Sequence, residues 1–270
     1  MRGGPATLRT RRHRLGQHFL RDGRVAHAIV AALPDDPPRV LEIGPGQGAL
    51  TRYLIERFAT VRAVEVDPAL ATRARSALAP AGVDVVQADA LDMDLDAVTG
   101  GVPWLVAANL PYSVGTPILR RLMRRPDLFP VLVVMLQLEV AERLVAAPGD
   151  RRRGLLTLET DLTARARLLF TVPAGAFSPP PKVRSAVVHL AARDERPDAA
   201  VARGALALAS AAFTQRRKKL ANALASVSPP VRSAAAMSAV GLGAGARAED
   251  LTTGEWLALA AELGSVGEAP

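Results

Sequence analysis

Val40-Leu-Glu-Ile-Gly44-Pro-Gly46-Gln-Gly48-Ala-Leu-Thr51 reads as a short buried strand, a glycine turn and the start of a helix. Glycines at 44, 46 and 48 let the backbone turn sharply and approach a nucleotide closely. The spacing also satisfies the dinucleotide pattern GxGxxG/A, with Ala49 in the last place. A nicotinamide-dependent oxidoreductase therefore stays open here, as does a purely structural turn.

Outward from this stretch, short β-branched runs alternate with longer helical ones. Strands are expected at 40–43, 61–66, 83–87, 104–108 and 131–136. Helices are expected at 23–33, 49–57, 68–78, 116–124 and 138–147, the third opened by Pro68 at its first turn. Such alternation predicts an α/β fold, a parallel sheet wrapped by helices. Two final strands, 168–172 and 183–190, are joined by a Pro-rich loop too short for a crossover helix, which predicts an antiparallel pair. The charged stretch Ala192–Asp198 reads as a linker. Beyond it, Ala-rich helical stretches at 201–224, 230–240 and 253–263 predict a small C-terminal all-helical domain, so the division is 1–198 and 199–270.

The 270 residues are 49% hydrophobic, enough for a sizeable core and against wholesale disorder. No cysteine is present, which excludes disulfides, zinc fingers, iron–sulfur clusters and thiol nucleophiles. The four histidines (His13, His18, His27, His189) include no pair at metal-ligand spacing, so no metal is expected. No run of 18 apolar residues suggests a membrane span. The Arg-rich N-terminus carries Gly3, Gly4 and Pro5 where a targeting helix would lie, and a cytoplasmic protein is expected. A net charge of +8 favours a polyanionic partner.

Three further strand ends offer ligand-binding groups on one sheet edge. Glu65 ends the second strand 21 residues after Gly44, where an acid can accept both ribose hydroxyls or else stand solvated. Asp89 follows the third strand, where a carboxylate could receive an adenine amine, whereas Asp92, Asp94 and Asp96 read as a solvated loop. Asn109-Leu110-Pro111-Tyr112 follows the fourth. Its Asn can accept from and donate to an exocyclic amine, Pro111 is expected to leave its carbonyl free as a second acceptor, and Tyr112 offers a stacking face. This suits an amino group on a heteroaromatic ring better than a hydride donor.

Arg14-Leu-Gly-Gln-His-Phe-Leu20, Leu41–Gly48, Asn109–Tyr112 with Thr116-Pro117, Ala176-Phe-Ser-Pro-Pro-Pro-Lys-Val183 and Phe213–Leu224 together resemble the rRNA adenine N6-dimethyltransferases, in order along the chain. The resemblance implies a Rossmann-like S-adenosylmethionine-dependent methyltransferase sheet. Val172–Val183 followed by Ser185-Ala-Val-Val resembles the bacterial small-subunit (KsgA-type) branch, which dimethylates two adjacent adenosines near the 3′ end of small-subunit rRNA. The macrolide-resistance (Erm-type) branch, acting on large-subunit rRNA, is the alternative, and a catalytically idle ribosome-assembly factor is a third.

By this resemblance His18, Leu20, Gly44, Gly46, Glu65, Asp89 and Asn109 would hold the cofactor. Asn109, Leu110, Pro111, Tyr112 and Phe177 would form the catalytic loop, with Tyr112 and Phe177 sandwiching a flipped adenine. The sulfonium is already activated, so neither a metal nor a general base is needed. Two positions depart from the family pattern: His18 where Asn is frequent, and Arg184 where Asp is usual. Arg11, Arg12 and Arg14 in the basic arm, Arg152 within Arg151–Arg153, and Arg216, Arg217, Lys218 and Lys219 form three clusters able to neutralise rRNA phosphates. The expected partner is rRNA within an assembling small subunit, met by a monomer away from any membrane.

Overall fold

The computed structural model describes residues 18–264, so the basic arm with Arg11, Arg12 and Arg14 lies outside the described residues. Two compact units emerge. A sheet unit takes residues 18–141 and Arg167–Ala192, and a helical unit takes Glu142–Ala166 and residues 193–264.

The sheet unit opens with β1 (Phe19–Leu20), α1 (Gly23–Ala31), β2 (Arg39–Ile43), α2 (Thr51–Arg57), β3 (Thr60–Glu65), α3 (Pro68–Leu78) and β4 (Asp84–Gln87). It continues through α4 (Leu95–Thr99), β5 (Leu105–Asn109), α5 (Gly115–Met123) and β6 (Val131–Gln137); α6 (Leu138–Leu144) then leads into the helical unit. After α7 (Leu155–Thr163), the chain returns through β7 (Ala164–Val172), β8 (Phe177–Ser178) and β9 (Ser185–Ala192).

Seven strands lie in the order β4-β3-β2-β5-β6-β9-β7. Neighbours from β4 to β6 are parallel, and β9 runs antiparallel to β6, from Val131↔Ala191 to Gln137↔Ser185. Central strands covered on both faces need near-continuous apolar sequence. Leu105 to Ala108 and Leu132 to Leu136 supply it and are buried. From β2 the chain builds outward through β3 and β4, then returns to place β5 on β2's other side. The crevice at that reversal is where open α/β sheets bind ligands. Local signals set the helix starts. Asp67 caps α3, accepting from Ala69 N at 2.8 Å and Leu70 N at 3.2 Å, with Pro68 in the first turn.

Several sequence expectations differ from what is observed. Asp94 is a helix cap, accepting from Ala97 N at the start of α4, and Asp96 is gripped by Arg125 at 2.7 and 2.8 Å, so this is no plain solvated loop. The helix expected over 201–224 divides into α8 (Ala199–Thr214) and α9 (Leu220–Ala223), broken where Gln215 leaves helical geometry ahead of four successive cations. The helical unit starts at 193 rather than 199, and it also takes in 142–166. The cause is α7, which the sequence reading passed over. Its Leu158 and Leu162 are buried in one apolar cluster with Leu208, Trp256 and Leu259, the last two on α11 (Thr253–Leu263). Between α9 and α11, α10 (Pro230–Ala239) adds Ala236 and Met237 to this cluster.

Arg153 ties the helical unit together. It is 3% exposed and donates to the Leu251 carbonyl (2.9 Å), the Ala146 carbonyl (2.8 Å) and Asp161 Oδ2 (3.2 Å), while Thr253 Oγ1 donates to the same carboxylate at 2.8 Å. Removing a buried charged partner strands the groups it satisfied. Arg153→Met should therefore destabilise the helical unit by about 3 kcal/mol in urea unfolding. Arg153→Lys should recover little, since one ammonium cannot span the same acceptors; a wild-type midpoint for either variant contradicts this role.

Candidate active site

The β2–β3 and β2–β5 registers pair Ile43 with Val64 and with Ala108. One residue further on, Gly44, Glu65 and Asn109 form a row along the carboxyl edge of the sheet. A cleft of about 1090 Å³, part of it open to solvent, lies over this row. His18, Leu20, Gly44, Gly46, Glu65, Asp89, Asn109, Leu110, Pro111 and Tyr112 all line it. Residues as far apart in sequence as His18 and Tyr112 are thus brought together.

The glycines have separate reasons for being there. Gly44 has φ +70°, and a Cβ on it would meet no atom within 4 Å, so its bareness keeps the space above the strand end clear. Gly46, at φ +54°, lies under Phe19, whose ring would be 3.0 Å from a Cβ at this position. Only glycine lets β1 cross the turn so closely.

Acids line the floor and wall. Glu65 is 4% exposed and accepts from Asp67 N at 3.0 Å; burial raises its pKa against the backbone hydrogen bonds that lower it. Glu42, two residues before Gly44, is 1% exposed and accepts from Thr51 Oγ1 at 2.6 Å. Burial pushes its carboxyl up to about 7, with the nearby Glu65 charge adding to the rise. Asp89 is exposed at the end of β4, its Oδ1 accepting from Leu91 N at 2.8 Å. From α5, Arg121 donates to the carbonyls of Ala90 (3.1 Å) and Met93 and so pins the loop that carries Asp89.

The loop after β5 is held on several sides. Asn109 Nδ2 donates to the His18 carbonyl at 3.0 Å. A carbonyl can only accept, so the amide orientation follows and Oδ1 is the atom left to accept. The Tyr112 hydroxyl is hydrogen-bonded to Ser185 Oγ, and burial raises its pKa. His18 Nδ1 pairs with the Pro179 carbonyl at 2.8 Å, and its ring lies 5.3 Å from that of Tyr112 at a tilt of 36°. β1 and β8 pair antiparallel beneath these contacts, Leu20 opposite Phe177.

Four expectations need correction or relocation. The Pro111 carbonyl is not free: it accepts from Gly115 N at 2.7 Å and Val114 N at 3.2 Å, which begin α5. Phe177 is 4% exposed, packed in the apolar core of the sheet unit and absent from the cleft lining, because β8 carries it under β1. Arg152 is paired with Asp150 at 2.7 Å and Glu142 at 3.2 Å. Arg216 donates to the carbonyls of Arg151 and Arg153 and lies over the Phe213 ring. Arg217, Lys218 and Lys219 are exposed. The sequence reading missed Glu42, Thr51, Arg121 and Ser185; for Glu42 the signal was an acid inside an otherwise apolar strand.

The comparisons agree with this geometry. A family model, ribosomal RNA adenine dimethylase, matches residues 8–264. Ribosomal RNA small subunit methyltransferase A of Rubrobacter xylanophilus is 41% identical over 91% of this chain and 92% of its own. The protein of that name from Sphingopyxis alaskensis is 42% identical over 93% of each. Among solved structures, the 23S rRNA methyltransferase ErmE superposes with a TM-score of 0.72 at 30% identity, covering 91% of this chain and 99% of its own. A dimethyladenosine transferase from Plasmodium falciparum shares the fold at a TM-score of 0.74 and 23% identity, over 90% of this chain and 96% of its own.

The raised Glu42 pKa carries a stability consequence. Below the ordinary carboxyl value of 4.5 the group is protonated whether folded or not, and its burial costs little. Between 4.5 and about 7 the unfolded carboxyl ionises while the folded one keeps its proton, so the stability present at low pH is lost across that window and is gone once the folded group ionises at about 7. Wild type should lose up to about 3 kcal/mol relative to Glu42→Gln across that window. Thermal unfolding of both proteins at several pH values checks it; a pH-independent gap contradicts it.

Proposed function

We infer that this chain, which belongs to the ribosomal RNA adenine dimethylase family, uses S-adenosylmethionine to dimethylate the N6 amines of two adjacent adenosines near the 3′ end of small-subunit rRNA as the subunit matures. The observation that carries the chemistry is the row of Gly44, Glu65 and Asn109 under one cleft. The small-subunit assignment rests on relatives of that name at 41% and 42% identity, against 30% for the large-subunit enzyme ErmE.

The donor set suits the cofactor. When bound, S-adenosylmethionine supplies a methyl group on a sulfonium, ready for transfer. Glu65 accepts hydrogen bonds from the ribose hydroxyls, and Asp89 accepts from the adenine amine of the same molecule. Gly44 leaves room beside the reacting end, which His18 and Leu20 cover. Arg121 keeps Asp89 in place by holding the carbonyls on either side of Leu91.

The target amine is the harder partner, because its lone pair is delocalised into the ring. Asn109 Oδ1 accepts one N–H. With the Pro111 carbonyl already committed to α5, the Leu110 carbonyl takes the second. Two fixed acceptors favour the pyramidal amine and cost no reorganisation during reaction. Tyr112, fixed through Ser185, gives the flipped base a face to stack on. A clamp by Phe177 from the other side requires its ring to leave the core. The amine proton passes to water after transfer, and no side chain need act as base.

The helical unit supplies RNA contacts through Arg217, Lys218 and Lys219, joined by the arm residues Arg11, Arg12 and Arg14. Arg152 and Arg216 contribute less, their charges being already engaged. The chain works as a monomer on the assembling subunit. Among the described residues no helix is long and apolar enough to cross a membrane.

Asn109→Ala should lower methyl transfer at saturating cofactor by roughly 100-fold or more, while RNA affinity in a filter-binding titration stays within about twofold. Full activity in this variant removes the acceptor role. An equal loss of RNA affinity would make Asn109 a binding residue instead.

A further inference from the structure

The parallel register that aligns Gly44, Glu65 and Asn109 also aligns the row beneath. Glu42 pairs with Ala63 on β3 and with Ala107 on β5. Side chains two residues apart on a strand share a face, at a rise of about 6.6 Å. Glu42 therefore points the same way as Gly44, one step down, flanked by two alanines and itself 1% exposed. Its carboxyl lines the cleft and accepts from Thr51 Oγ1.

The other ionisable groups facing this space are Glu65 from β3, with Asp67 beyond it, Asp89 from the loop after β4, His18 from β1 and Tyr112 from the loop after β5. Among the described residues lining the cleft there is no lysine or arginine. A buried carboxyl in an acid-lined, cation-free cleft lacks a positive partner from the protein. S-adenosylmethionine and S-adenosylhomocysteine both bring an α-ammonium, but only S-adenosylmethionine adds a second cation in its sulfonium, which is lost on transfer.

We propose that Glu42 is the residue that distinguishes cofactor from product: it releases its proton to solvent when the sulfonium enters the cleft and takes a proton back once the sulfur is neutral. The proposal rests on the cofactor assignment above. In the free protein, burial leaves the carboxyl titrating at about 7, so both states are populated near neutrality. A cation within a few ångströms favours the ionised form by roughly a factor of ten or more. Glu65 holds the ribose, which both ligands share, so it does not discriminate. Glu42 sits below the part of the cleft over Gly44, where the two ligands differ.

Proton linkage tests this directly. S-adenosylmethionine and S-adenosylhomocysteine are titrated calorimetrically into wild type and Glu42→Gln at about pH 7, in two buffers of different ionisation enthalpy. The difference between the proteins cancels protons exchanged by the ligand's own amino group. Wild type should release about half a proton more than Glu42→Gln on binding S-adenosylmethionine, with no such difference for S-adenosylhomocysteine. Preference for cofactor over product should be roughly tenfold lower in the variant. In wild type alone that preference should rise several-fold between about pH 6 and about pH 8, which serves even if the variant does not fold. Equal proton counts in both proteins, or a flat wild-type preference, overturn the role of Glu42 while leaving the cofactor assignment intact. Failure of wild type to bind either ligand overturns that assignment and the proposal with it.

Discussion

The parallel hydrogen-bond register of β2, β3 and β5 is the constraint on which the rest depends. A slip of one residue in either ladder would turn every side chain of the slipped strand to the opposite face of the sheet. In the observed register Gly44, Glu65 and Asn109 share one edge and one face, with Glu42 directly beneath. The strands are buried on both faces, so slippage would misfit Leu41 and Val106 in the packed core and leave charges buried without partners. Core packing and site geometry are thus enforced by the same pairing, and the ligand-binding groups need no separate scaffold.

On that edge the remaining contacts fix the mouth of the cleft. β1 crosses the glycine turn because Gly46 has no side chain, and it pairs with β8. From this short ribbon, His18 reaches the Pro179 carbonyl with its ring and Asn109 with its own carbonyl. Ser185, at the start of β9, holds Tyr112. The loop after β5 is therefore positioned by segments from two distant parts of the chain. Such positioning is the main contribution a protein can make when the methyl donor arrives already activated.

Much of this was legible in the sequence, and for identifiable reasons. The strand–turn–helix at 40–51 and the alternation that follows are local patterns, and β2 to β6 with the helices expected between them formed within two residues of the expected bounds. The helix expected at 138–147, by contrast, ends at Leu144, and the strand expected at 168–172 starts at Ala164. Glu65, Asp89 and Asn109 could be placed at strand ends because strand ends are themselves local. What escaped depends on tertiary context. The Leu155, Leu158 and Leu162 spacing marks a helix, but that it packs with the C-terminal helices has no local signal. Whether the Pro111 carbonyl is free depends on where α5 begins. The burial of Phe177 depends on β8 pairing with β1. Arg152 and Arg216 look like free cations until their partners at 142, 150, 151 and 153 are seen in space. His18, a departure from the family pattern, retains a polar ring contact at the cleft.

The most direct test of the account is methyl incorporation from labelled S-adenosylmethionine into undermethylated small ribosomal subunits, with free large-subunit rRNA as the parallel substrate. The account predicts label in small-subunit RNA, recovered after digestion as N6,N6-dimethyladenosine, and none in the large-subunit RNA. Label confined to large-subunit RNA, or absent from both, would contradict it.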